Sequence, residues 1–222
     1  YGLSHEATIR AEDVDETKDT ISFKLLFAGE SIPIHLNTPG RFMVSNALAA
    51  AAVGHQVGLS GKNVKTALEA FKPVAGRMNI QHLPGDIHLI DDTYNANPES
   101  MKAAFAILNT LRAGARGIAA VGDMLELGAQ AQSLHRNLGA DAARSGISRL
   151  CAHGEFSAAV RAGAHDNGMP PTDTFEGTHE DIVEDLKCRL QPGDWLLVKG
   201  SRGMAMEKVV RKLQEWCEES DG

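Results

Sequence analysis

The stretch Ile90-Asp91-Asp92-Thr93-Tyr94-Asn95-Ala96-Asn97-Pro98-Glu99-Ser100-Met101 runs from an apolar strand through acids and amides into a proline and an alanine-rich helix. Acids and amides at a strand end, on the crevice side of an α/β sheet, are the groups that hold a polar ligand. Pro98 fits the first turn of a helix, with Asn97 as its N-cap and Glu99 in that turn. Asp91 and Asp92 are adjacent on a strand, so they point to opposite faces and make a poor general acid/base couple.

Two further polar loops have the same placement, Gly122-Asp123-Met124 and Lys199-Gly200-Ser201-Arg202-Gly203, each directly after an apolar strand. In a parallel sheet such loops share one edge. Lys199 and Arg202, taken as flanking the mouth of the final helix, suit an anionic group such as phosphate or carboxylate. Asp123 is either an orienting group for an amine or a ribose hydroxyl, or a turn residue. Arg77, after Gly76, is either an ordinary surface arginine or a cation long enough to reach a nucleotide phosphate across a domain junction. Asn46 lies in an alanine-rich helix, where a buried amide must find partners, a base edge or a neighbouring loop.

These residues need strands and helices to hold them. Residues 20–36 alternate apolar and polar around Ala28-Gly29-Glu30, which predicts a half-buried hairpin. Helices are expected over 42–57, with Gly58 as the stop, and over 62–71. Pro73 and Gly76 mark a linker, and beyond residue 78 strands (80–83, 87–91, 117–121, 149–152, 172–175, 195–198) alternate with helices (98–111, 131–145, 156–167, 179–190, 204–216). That rhythm predicts a mainly parallel, doubly wound α/β sheet. The end, Glu218-Glu219-Ser220-Asp221, reads as a solvated tail.

Composition narrows the function. The 222 residues carry 22 Lys and Arg against 29 Asp and Glu, a net charge of −7 without a basic cluster, which argues against a nucleic-acid binder. No apolar run reaches membrane-span length. Cys151, Cys188 and Cys217 are widely spaced and odd in number, which fits a reducing cytoplasm and neither a disulfide framework nor a zinc site. The nine histidines form no HxxxH pair and read as surface or helix residues, so no metal ligand is assigned. A GxxxxGK[ST] phosphate loop, a GxGxxG fingerprint and a nucleophile elbow are missing, so a complete nucleotide triphosphate site is not expected. The start at Tyr1, without methionine or signal peptide, reads as a chain cut from something longer.

In order along the chain, Pro39-Gly40-Arg41 with Asn46-Ala47-Leu48-Ala49-Ala50, Gly76-Arg77, Asp91 to Pro98, Gly122-Asp123-Met124-Leu125-Glu126-Leu127-Gly128 and Lys199-Gly200-Ser201-Arg202 resemble the Mur ligases. The resemblance implies residues 1–75 as the C-terminal part of a central ATP-binding domain (the hairpin plus two helices) and 76–222 as a C-terminal Rossmann-like ligase domain. It implies a cytoplasmic, ATP- and Mg-dependent amide ligase joining D-alanyl-D-alanine to a UDP-N-acetylmuramoyl-tripeptide through an acyl phosphate, acting as a monomer. It further implies nucleotide contacts at Asn46 (adenine), Arg77 (phosphates) and Asp92 (ribose), and dipeptide-facing roles for Asn95, Asn97, Asp123, Lys199, Ser201 and Arg202. Phe42 and Met43 depart from the histidine and asparagine that such ligases often carry there. The family's phosphate loop, magnesium-binding acid and carbamylated lysine have no counterparts in this sequence, so the 222 residues alone are expected to be inactive. The alternatives are a non-catalytic nucleotide- or peptide-binding module and the folylpolyglutamate synthetase branch, which the YNANP and MLELG segments fit less well.

Overall fold

The computed structural model describes residues 1–17, 20–38, 41–72 and 74–220. Pro39 and Gly40 of the first resembling segment, Pro73 of the linker and Asp221 of the acidic end lie outside them. The chain forms two compact units, Tyr1–Pro73 and Val74–Gly222.

In the first unit, strands β1 (Arg10–Glu16), β2 (Ile21–Phe27) and β3 (Glu30–Leu36) form an antiparallel sheet in that order. The expected hairpin is β2–β3. Its two-residue turn, Ala28-Gly29, holds both residues at positive φ (49° and 85°), the backbone twist that matches the flanking strands. Phe23 faces Ile34 and Leu25 faces Ile32 across the pair, and all four are buried. The hairpin is not the whole sheet. Strand β1 is an edge strand of mostly charged residues, kinked by a register shift between Glu12 and Asp15, with only Ala11 fully buried. Helix α1 (Phe42–Gln56) buries Val44, Ala47, Leu48 and Ala51 with the strands, and Gly58 follows it at φ 79°. Helix α2 (Gly61–Glu69) starts at Ser60, whose Oγ accepts the Asn63 N–H at 3.3 Å. It ends before Phe71, which is exposed and outside the core that holds Val64 and Leu68.

The second unit is a sheet of β4 (Asn79–Leu83), β5 (Ile87–Asp92), β6 (Gly117–Gly122), β7 (Arg149–His153), β8 (Thr174–Glu176) and β9 (Trp195–Lys199), in spatial order β4-β5-β9-β6-β7-β8. Only β4 is antiparallel to its neighbour. Helices α3 (Pro98–Arg112), α4 (Ala131–Arg144), α5 (Ser157–Asp166), α6 (His179–Arg189) and α7 (Glu207–Ser220) lie between and after the parallel strands. Alternate residues of the central strands enter two cores. Ile90, Ala119, Val121, Leu150 and Leu197 pack with Met101, Phe105 and Leu108 of α3, while Leu89, Ile118, Ala120, Leu196 and Val198 pack with residues of α6 and α7. Both faces are covered, which is why these strands read as apolar runs.

The last helix begins at Glu207, not Met204, because a 3₁₀ turn (Arg202–Met204) and Ala205 at φ 50° intervene. It runs through Glu218, Glu219 and Ser220, so the acidic end is helix rather than a loose tail.

Helices α4 and α5 meet backbone to backbone. A Cβ at Gly139 would lie 1.8 Å from the Val160 carbonyl oxygen, and one at Gly163 the same distance from that of Arg136. Gly139→Ala is therefore expected to cost roughly 1–3 kcal/mol or more through overpacking, although alanine is the better helix former. Urea denaturation checks this, and an unchanged midpoint would show that the helices can part at little cost.

Candidate active-site edge

Because β9 inserts between β5 and β6, the three loops singled out in the sequence follow three adjacent strands. Lys199, the last residue of β9, stands in register with Asp92 on one side and Val121 on the other. Its Nζ donates to Asp92 Oδ2 at 2.6 Å and to the Asn95 carbonyl at 2.8 Å, and the side chain is 3% exposed. Ser201, also buried, accepts the Leu125 N–H on Oγ at 2.9 Å and donates to the Ala96 carbonyl at 3.2 Å. The Ser201 N–H donates to the Asp123 carbonyl at 3.1 Å. The loops are thus laced together through side chains and backbone, each buried polar group finding a partner.

The cations differ from expectation. Lys199 does not stand at a helix mouth; it is consumed by Asp92 and a carbonyl. Arg202 sits in the 3₁₀ turn, exposed, with Glu207 Oε1 at 3.4 Å from its guanidinium. The anion site read from two cations at a helix start is therefore not formed as expected.

Asp91 and Asp92 do face opposite ways. Asp91 is buried and accepts the Gly76 N–H at 3.0 Å on Oδ2 and the Thr93 hydroxyl at 2.7 Å on Oδ1. Asp92 Oδ1 accepts the Met78 N–H at 3.1 Å. With the Tyr94 N–H on the Gly76 carbonyl at 2.8 Å, these bonds pin the Gly76-Arg77 turn to the end of β5. The turn is part of the second unit rather than a free linker. Gly76 is required there: its φ is 76°, and a Cβ would meet the Tyr94 N at 3.1 Å. Arg77 is exposed, its guanidinium 3.9 Å from the centroid of the Tyr94 ring. That stacking contact holds a cation forward without neutralising it.

Asn97 caps α3, its Oδ1 accepting the Ser100 N–H at 2.8 Å while Ser100 Oγ accepts the Asn97 N–H at 3.0 Å. Asn95 is exposed, with Oδ1 turned to the Ala96 N–H at 2.9 Å. Asn46 in α1 is exposed rather than buried, and its amide lies 3.7 Å from Met43 Sδ.

Asp123 has a structural duty. Its carboxylate accepts the Glu155 N–H at 2.7 Å and the Phe156 N–H at 3.3 Å, at the start of α5. Gly154 permits that approach, since a Cβ there would lie 2.3 Å from Asp123 Oδ2. Burial pushes the Asp123 carboxyl above the usual carboxylate range, against the pull of His135 and the two backbone N–H groups. His135, one of the histidines expected on the surface or in a helix, lies in α4 and is fully buried. His153 and His179 also lie close, with ring centroids 4.1 Å apart, and His179 Nε2 is 2.8 Å from the Met204 carbonyl. Sequence reasoning missed Tyr94, His135 and His179, because a lone ring carries no spacing signal until the fold supplies its neighbours.

Among the described residues, no three of His, Cys, Asp and Glu lie where they could together hold a metal ion. No described helix is long and apolar enough to cross a membrane.

Comparison with known proteins agrees with this architecture. Residues 76–202 match the Mur ligase glutamate ligase domain and residues 1–54 the Mur ligase middle domain. The chain is 37% identical over 207 residues to the UDP-N-acetylmuramoyl-tripeptide–D-alanyl-D-alanine ligase of Escherichia coli, covering 92% of this chain and 44% of that protein. It is 28% identical to the enzyme of that name from Bacillus subtilis, over 97% of this chain and 47% of that one. A crystal structure of MurF from Acinetobacter baumannii superposes with a TM-score of 0.84 at 29% identity, over 96% of this chain and 46% of that chain. The chain therefore spans about half the length of the curated relatives it matches.

Two outcomes follow from the geometry. Lys199→Met should cost about 3–5 kcal/mol by leaving Asp92 buried without its cation, and adding Asp92→Asn should recover most of that; denaturation of both variants checks it. Burial, with His153 and Lys208 alongside, lowers His179 from the ordinary value of 6.5, with the Met204 carbonyl pulling the other way. An imidazole lowered by folding gives stability that is present above pH 6.5 and lost as pH falls through its lowered value. His179→Gln should flatten the stability profile below that pH, and a profile as steep as before would assign the acid sensitivity elsewhere.

From its matched domains, its fold and the laced edge at β5, β9 and β6, the chain belongs to the Mur ligase family.

Proposed function

We propose that this chain is the C-terminal half of an ATP-dependent amide ligase that joins D-alanyl-D-alanine to a UDP-N-acetylmuramoyl-tripeptide in cytoplasmic peptidoglycan synthesis, working as a monomer. Residues 1–75 are assigned to the end of its ATP-binding domain and 76–222 to its ligase domain. The observation that carries this is the lacing of the loops after β5, β9 and β6, which fixes one sheet edge while leaving Arg77, Tyr94, Asn95 and Arg202 exposed on it. ATP, when bound, supplies the phosphoryl group that turns the tripeptide carboxylate into an acyl phosphate open to the dipeptide amine.

Of this chain's residues, Arg77 suits the phosphates: it is exposed, charged and braced on Tyr94. Asp92 retains acceptor capacity for a ribose hydroxyl beside its bonds to Lys199 and Met78, and Asn46 in the first unit has an exposed amide for an adenine edge. Asn95 and Arg202 are exposed for the dipeptide, Arg202 for its carboxylate. Asn97, Asp123, Lys199 and Ser201, all engaged within the protein, hold that surface in shape. No residue here is assigned to magnesium.

Expressed from its complete reading frame, the protein should form the amide bond with D-alanyl-D-alanine only when ATP and magnesium are present. Arg77→Ala should lower kcat/KM for ATP roughly tenfold to a hundredfold, the worth of one charge-assisted contact of about 1.5–3 kcal/mol. Absence of ligation in the unaltered protein would overturn the function, and full activity in Arg77→Ala would overturn the phosphate assignment.

A further inference from the structure

We propose that His135 is a positioning residue that sets the Asp123–Gly128 loop, and that it does so only as the neutral imidazole protonated on Nδ1. This rests on the function above only in its last step, that the loop belongs to a ligand-receiving edge.

His135 lies in the second turn of α4 with no exposed surface, stacked on Phe156 at 4.6 Å between ring centroids. Both ring nitrogens are committed, and each partner permits one role. Nδ1 is 2.7 Å from the Ala131 carbonyl, which can only accept, so Nδ1 carries the proton. Nε2 is 2.9 Å from the Met124 N, which can only donate, so Nε2 is bare. The imidazole thereby ties the first turn of α4 to the backbone one residue after Asp123. From there the chain of bonds runs on: the next N–H, that of Leu125, is held by Ser201 Oγ, and Ser201 holds the Ala96 carbonyl. One buried ring thus anchors the link that joins the loop after β6 to those after β9 and β5.

Protonation would invert the contact. A proton on Nε2 confronts the Met124 N–H with another donor, while Asp123 Oδ1, 3.6 Å away, becomes its natural acceptor. Asp123 would then be drawn from the Glu155 and Phe156 N–H groups at the start of α5. Asp123 is the titratable group beside Nε2. His153 at the end of β7 bears on Asp123 in turn, and Glu155 before α5 meets it through its backbone N–H.

The test uses the 222-residue chain with ¹⁵N-labelled histidine, together with His135→Gln and His135→Leu. Glutamine can accept from Met124 and donate to Ala131; leucine fills space but does neither. Nitrogen NMR at neutral pH is expected to show Nδ1 protonated and Nε2 bare, and amide exchange at Met124 and Leu125 should rise ~tenfold or more in the leucine variant and return toward wild type in the glutamine variant, as for one buried hydrogen bond lost and restored. In the ligase expressed from its complete reading frame, the leucine variant should raise KM for D-alanyl-D-alanine, with glutamine rescuing it. A proton on Nε2, or exchange at Met124 unchanged by leucine, would overturn the inference. The nitrogen spectrum of the unaltered chain decides the tautomer even if the leucine variant does not fold. Both loop measurements need no turnover, so a protein that ligates nothing would sink the proposed function while these readings still decide His135.

Discussion

The ion pair between Lys199 and Asp92 is the contact on which the second unit's working edge turns. It joins the central strand to its neighbour at the point where both strands end, and both charges are withdrawn from water, so each needs the other. Two well-packed apolar residues would hold the strands together at least as well. What the pair adds is direction: the ammonium also holds the Asn95 carbonyl, and the carboxylate also holds the Met78 N–H, so a strand-to-strand bond fixes the loops on both sides.

Around that pair the polar groups divide into those that build and those that are offered. Asp91, Asp123 and Ser201 have the residue types of a catalytic list, yet their oxygens are spent on backbone N–H groups and carbonyls of the neighbouring loops. Arg77, Asn95 and Arg202 reach solvent. A rigid inner set supporting a sparse outer set is what positioning without reorganisation requires.

Much of this was legible from residue order. The apolar runs at 87–91, 117–121 and 195–198 read as strands because both faces of the sheet are covered, and Asn97-Pro98 read as a helix start because few other pairs suit those positions so well. Strand β1 was missed since an edge strand with paired acids, Glu12-Asp13 and Asp15-Glu16, buries almost nothing and leaves no apolar period. The start of α7 was misplaced because a 3₁₀ turn and a left-handed alanine carry no distinct composition. At the site, the convergence of three loops could be inferred from parallel topology, but not which polar side chains would be spent inside. Lys199 looks the same in sequence whether it greets a ligand or a buried aspartate. The duty of His135 depends on a carbonyl and an N–H that sequence does not label.

The position of β9 carries a consequence for how the molecule is made. The strand at the heart of the sheet is the last of its strands to leave the ribosome, after both the neighbours it must separate. Until it arrives, β5 and β6 have a missing partner between them, and helices α3 to α6 have an unfinished surface to cover. Long-range pairing of this kind delays the closure of the core. The edge that presents Arg77 and Asn95 is therefore a product of finished synthesis: a chain released before Lys199 has neither the strand nor the cation that shapes it, and exposes apolar surface for quality control to detect.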